Sequence, residues 1–181
     1  MIKKYALLFV FSIAVLSVHS QTIAFTSMTS SLSGTYDFYS EVPLNAEARI
    51  SITGMKNNKT YPYYITVEPA VGARYLSRSG SSYKLPYTVY TMPSTPRNEM
   101  YNNTGASSGS QVMEDEFSKA ESGSSSATAY HDMYLVATPG TLLPYGTYTG
   151  SFSANLYRNA FKTSATPLSK TVNVSMVVPI Y

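Results

Sequence analysis

Across residues 46–53, Ala48, Ile50 and Ile52 alternate with Arg49, Ser51 and Thr53. A period of two is what a strand with one buried face requires, because successive side chains leave a pleated backbone on opposite sides. The same alternation returns at Tyr61–Glu68 with Tyr63, Ile65 and Val67, and at Tyr83–Thr91 with Leu85, Tyr87 and Val89. It returns again at His131–Ala137 with Met133, Leu135 and Ala137. The run Gly146–Tyr157 places Tyr148, Phe152, Ala154 and Leu156 on one face, and Thr171–Pro179 does so with Val172, Val174, Met176 and Val178. No run of ten or more residues carries an apolar stripe at helical spacing. The chain therefore reads as all-β, and about seven short strands with turn signals between them predict an immunoglobulin-like antiparallel β-sandwich.

Local signals refine this picture. Asn57-Asn58-Lys59 makes a turn, so the runs on either side read as a hairpin or a neighbouring antiparallel pair. Pro62 stands at a strand entry, whereas Pro86 inside its run predicts an edge or bulged strand. Residues 21–35 hold only Ile23, Phe25, Met28 and Leu32 as large apolar side chains, which suggests a weak first strand and a loose linker. Tyr36–Tyr39 reads as another short strand. Residues 92–128 are rich in Ser, Gly, Asn and Pro and read as a long loop, with Val112–Ala120 as a brief helix.

The first twenty residues read as an address. Lys3 and Lys4 precede an apolar run from Tyr5 to Val18, and Val18-His19-Ser20 suits signal cleavage before Gln21. This predicts a secreted protein with residues 21–35 as an N-terminal strand or extension and 36–181 as one sandwich domain. No later run approaches the ~20 apolar residues of a membrane span, so no transmembrane anchor is expected. Beyond Lys3 and Lys4, eleven basic side chains face ten acidic ones, a balance that gives no reason to expect nucleic acid as a partner. The chain has no cysteine, which excludes disulfides, thiol catalysis and thiolate metal sites.

Chemistry is sparse. His131 is the one histidine after residue 20, and its neighbour Asp132 points to the opposite face of a strand, so it cannot orient the imidazole for a hydrolase triad. No G-x-S-x-G elbow is present. Glu114-Asp115-Glu116 lacks the spacing of a calcium loop. No catalytic residue, metal site or cofactor is expected, and the protein reads as no enzyme. The many tyrosines on predicted strands read first as core and cross-strand packing and second as a ligand surface. Asn58-Lys59-Thr60, Asn102-Asn103-Thr104 and Asn173-Val174-Ser175 are sequons.

Arg74-Tyr75-Leu76 followed by Lys84-Leu85-Pro86-Tyr87-Thr88-Val89-Tyr90-Thr91 resembles a motif of the spore coat protein U group. These secreted bacterial domains include subunits of archaic chaperone–usher pili. Pro144-Tyr145-Gly146-Thr147-Tyr148-Thr149-Gly150 resembles the family's next strand start, and Thr171–Pro179 its closing strand. The matches cover residues 61–91 and 131–179, and the family's usual cysteines are absent. The resemblance implies a structural subunit of a fimbria-like surface appendage, assembled by β-strand exchange, with Ile23 and Phe25 as the inserted side chains. It implies self-association or sister pilin subunits, a periplasmic chaperone and an outer-membrane usher as partners, and a route through the periplasm to the cell surface. Arg74, Leu85, Tyr87, Val89, Tyr90, Gly146, Thr147 and Tyr148 are its motif residues here. The alternative is a monomeric secreted sandwich that binds a glycan or host protein through Tyr-bearing loops.

Overall fold

The computed structural model describes residues 21–161 and 165–180; residues 1–20, which the sequence reads as a signal, lie outside them. Ten strands follow one another: β1 (Thr22–Met28), β2 (Ser31–Thr35), β3 (Leu44–Thr53), β4 (Lys59–Glu68), β5 (Tyr75–Ser77), β6 (Lys84–Tyr90), β7 (Met113–Lys119), β8 (Ser126–Ala137), β9 (Gly146–Arg158) and β10 (Leu168–Val178). They form a curled, mostly antiparallel sheet in the order β1-β3-β8-β6-β5-β9-β10-β2, with β4 joined to β9 and β7 to β4. Curling gives it the character of a sandwich. One layer holds β1, β3, β8 and β6, the other holds β2, β10, β9, β4 and β7, and β5 links β6 to β9.

The alternating residues do what their period predicts. Ile50, Ile52, Ile65, Val67, Leu85, Val89, Met133, Leu135, Phe152, Leu156 and Val172 are fully buried between the layers. The count of about seven strands is too low, for a physical reason. β1, β2, β5 and β7 each bury a single residue, respectively Ile23, Leu32, Leu76 and Phe117. Strands held mainly by a neighbour's backbone edge leave little alternation to read.

Four local expectations are corrected. β3 and β4 are not a hairpin: β3 pairs with β1 and β8, β4 with β7 and β9. The intervening turn, with Asn58 in the left-handed region at φ 54, carries the chain across to the other layer. Within Val112–Ala120 the chain forms strand β7, not a helix; Glu114, Asp115 and Glu116 are exposed while Phe117 is buried. Residues 36–39 form a loop after β2, and β6 is no edge strand, since β5 pairs with its first half and β8 with its second. Pro86 sits where the ladder changes partner, a position that tolerates a missing N–H.

Residues 92–128 close one outer surface. Met100, Ala106 and Val112 are buried, and a second small core forms around Tyr64, Tyr157, Ala106 and Val112 on the side of β4 away from the main core. Tyr64 and Tyr157 stack with centroids 4.6 Å apart, and the Tyr64 hydroxyl donates to Asn103 Oδ1 at 2.8 Å.

Candidate functional site

The N-terminal segment and the last strand meet at the margin of the fold. β1 runs along β3 at the edge of one layer, with a bulge between Phe25 and Ser27. At Thr29 and Ser30 the chain crosses between layers: Thr29 N–H still donates to the Glu47 carbonyl of β3, whereas the Ser30 carbonyl accepts from Asn173 N–H of β10. β2 then lies parallel to β10, Ser31 opposite Asn173 through Thr35 opposite Val177. It is the one parallel pairing among the described strands, and parallel ladders hold slightly less per residue than antiparallel ones.

β10 extends further than its cover. It pairs with β9 along its whole length, Leu168 opposite Leu156 through Val178 opposite Gly146. On the other side only Asn173–Val177 meets β2. Ser169 and Thr171 share the phase of Asn173, so their N–H and C=O groups face the same way, with no strand paired beside them among the described residues. The inward phase tells the same story: Val172, Val174, Met176 and Val178 are buried, Leu168 is half-buried and Lys170 is exposed. Near that end a cleft of about 310 Å³ opens between Gln21 and Ile23 of the N-terminal segment and Tyr61, Pro62, Arg158 and Asn159.

Ile23 and Phe25 both occupy their own chain's fold. Ile23 is buried opposite Ile52, and Phe25, opposite Ile50, is half-buried against the same core. The motif residues form a scaffold beside this margin. The Arg74 guanidinium is buried, donating from Nε to the Pro69 carbonyl at 2.7 Å and from Nη2 to the Val67 carbonyl at 3.2 Å, with Nη1 3.9 Å from Glu99. Burial pulls its pKa below the usual arginine range, and Glu99 opposes that pull. Tyr87 N–H donates to the Arg74 carbonyl, and its hydroxyl, pushed up to about 12 by burial, crosses the core to the Ser151 carbonyl at 2.9 Å. Leu85 and Val89 are fully buried, and the Tyr90 ring lies 3.9 Å from the Arg97 guanidinium carbon. Gly146 takes φ +138 against the Arg78 side chain, Thr147 is exposed, and the Tyr148 hydroxyl donates to the Pro144 carbonyl at 3.0 Å.

The carboxylate beside His131 is not its sequence neighbour Asp132, which the strand alternation excludes. Asp115 of β7 approaches the imidazole to 3.5 Å, and the Tyr63 hydroxyl of β4 lies 2.7 Å from His131 Nε2. Only the tertiary fold brings β7 across to β8. Among the described residues no group of three or more His, Asp or Glu side chains could hold a metal ion, and no helix is long and apolar enough to cross a membrane.

No family model and no curated protein matches the chain. Solved structures do. A chain from the fibronectin-binding, biofilm-forming AAF fimbriae of enteroaggregative Escherichia coli is similar at 17% identity and TM-score 0.41, over 88% of this chain and 100% of that one. A mutant form of the CfaE adhesin of CFA/I enterotoxigenic E. coli is similar at 11% identity and TM-score 0.48, over 88% of this chain and 49% of that one. The CssB subunit of colonisation factor CS6 of enterotoxigenic E. coli, complemented with a donor strand from CssA, is similar at 12% identity and TM-score 0.40, over 88% and 97%.

Proposed function

We propose that the chain is a structural subunit of a secreted, fimbria-like surface appendage, assembled by exchange of β-strands between copies or with sister subunits. The observation that carries this is the margin of β10: a core-forming strand covered over five of its positions by a short parallel strand, and open along the rest. β2 brings one buried side chain, Leu32, to that task. An incoming strand with large apolar residues two apart gains both the free backbone groups and the open end of the core.

β1 is such a strand. Ile23 and Phe25 are spaced for a single face, and β1 itself is an edge strand that can leave β3 without breaking the centre of a sheet. In the exchange β1 leaves β3 of its own copy and lies along β10 of the next. A chain whose N-terminal strand is in transit exposes core surface, which is the physical need a periplasmic chaperone meets, with an outer-membrane usher as the assembly site. Secretion by the segment 1–20, passage through the periplasm and display at the surface belong to the same reading.

The test is a gel of surface-sheared material from the native cells, unboiled beside boiled. Strand-exchanged fibres give a ladder that collapses to one band on boiling, and Ile23→Asp removes the ladder. A single monomer band in both lanes of the parent protein overturns the proposal.

A further inference from the structure

The ten acidic side chains of this protein are unevenly placed. Residues 69–98 contain none, residues 133–181 contain none, and neither does Ser31–Thr35. Strands β2, β5, β6, β9 and β10 are therefore free of acid, and the fold sets them side by side. Their outward residues form registered rows. One row runs Lys84, Ser77, Thr149, Ser175, Ser33 across five strands, and a second runs Ser151, Asn173, Ser31 across three. With about 4.8 Å between strands, the longer row spans about 19 Å. Between the rows lies a depression of about 350 Å³ walled by Ser31, Thr149, Asn173 and Ser175, its floor the backbone of Leu32, Gly150 and Val174. The Leu32 and Val174 side chains are buried in the core below.

The cationic end of this face is prearranged. Lys84 Nζ stands 3.7 Å from the centroid of the Tyr75 ring. It has no carboxylate partner among the described residues. An aromatic neighbour restrains an ammonium without neutralising it, so its remaining N–H groups stay available to an anion. The opposite outer surface differs in kind, since β3 and β8 present Glu47, Arg49 and Asp132 there.

We propose that the outer face of β2, β10, β9 and β5 binds an acidic glycan, its carboxylate on Lys84 and its hydroxyls in the depression walled by Ser31, Thr149, Asn173 and Ser175. Serine, threonine and asparagine side chains both donate and accept, which is what sugar hydroxyls need from a partner. A protein partner would require aromatic or aliphatic anchors at the centre of the patch, and Val177 is the one large apolar side chain that β9, β10 and β2 expose there. The site stands whether or not copies exchange strands, because its walls belong mainly to β9 and β10.

Calorimetry on the purified chain from Gln21 onward tests the assignment, with trigalacturonate and 3′-sialyllactose as probes, each beside its methyl ester. At least one acid binds, its ester binds about tenfold more weakly, and added salt weakens the acid alone. Lys84→Gln and Asn173→Ala, both at exposed positions, each weaken the acid by about tenfold, while Lys56→Gln binds as the parent does. Circular dichroism confirms that each variant is folded. Binding of neither acid, equal binding of acid and ester, an unaffected Lys84→Gln, or equal binding of a hexaglutamate peptide overturns the proposal.

Discussion

The Tyr63 hydroxyl of β4 lies 2.7 Å from His131 Nε2 of β8, so one hydrogen bond joins the two layers of the fold. Tyr63 gives its own proton to Asp115 Oδ2 at 3.0 Å, which leaves His131 Nε2–H as the donor to the tyrosine oxygen. Burial and the Asp115 acceptor push the tyrosine pKa well up, so this hydroxyl keeps its proton. Burial also lowers the His131 pKa, against the pull of Asp115 and Asp132.

The histidine sets a pH dependence with a definite sign. Its folded pKa lies below the unfolded value of about 6.5, so between the two the unfolded chain binds more protons. The contribution of His131 to stability is complete above that value and is lost as pH falls toward the folded pKa. Urea midpoints measured from pH 8 to pH 5 decline on acidification, and the decline is shallower in His131→Gln. Identical slopes in the two proteins would refute the assignment.

Tyr63→Phe keeps the ring that stacks on Phe117 at 5.1 Å and removes the bridge between the layers. A half-buried imidazole N–H loses its partner, at a cost of about 1–3 kcal/mol. Urea unfolding at pH 8, where His131 is neutral in both states, isolates that cost from the titration.

Arg74 donates to the carbonyls of Pro69 and Val67 from a buried guanidinium. Arg74→Ala lowers stability by about 3 kcal/mol, because Val67 and Pro69 lose charge-assisted donors inside the fold. Arg74→Lys recovers little of it, since a single ammonium cannot reproduce the spread of the guanidinium. Thermal melts of the three proteins rank parent above lysine and lysine close to alanine. A lysine variant as stable as the parent would contradict this account.

The second core makes its own prediction. Tyr64→Ala removes the ring stacked on Tyr157 and costs about 3 kcal/mol. It also frees the segment 101–112, so limited proteolysis cuts there first. Tyr64→Phe keeps the stack, loses the bond to Asn103 and costs about 1 kcal/mol.

Ile23→Asp separates the two uses of β1. In the single chain it places a carboxylate in the core opposite Ile52 and lowers the melting temperature. In a polymer it removes one of the two inserted side chains, so detergent-resistant ladders disappear even at temperatures where the variant is folded. Ladders that persist would show that β1 is not the exchanged strand.

Alternation of apolar and polar residues by itself determined that this chain is all-β and which side chains of β3, β4, β6, β8, β9 and β10 face the main core, because a pleated strand with one covered face leaves a period of two; the off-phase burial of Tyr64 and Tyr157 came from the second core. Alternation did not reveal β2 or β7, each of which buries one residue and owes its strand state to the free backbone edge of β10 or β4. Nor could it pair His131 with Asp115, sixteen residues apart and joined only when β7 and β8 are laid on opposite layers. The absence of acid from residues 69–98 and 133–181 was written in the sequence. That these segments become one face, with Lys84 at the end of a row of hydroxyls, was decided by tertiary structure, since hydrogen-bonded register across strands is set by partners distant along the chain.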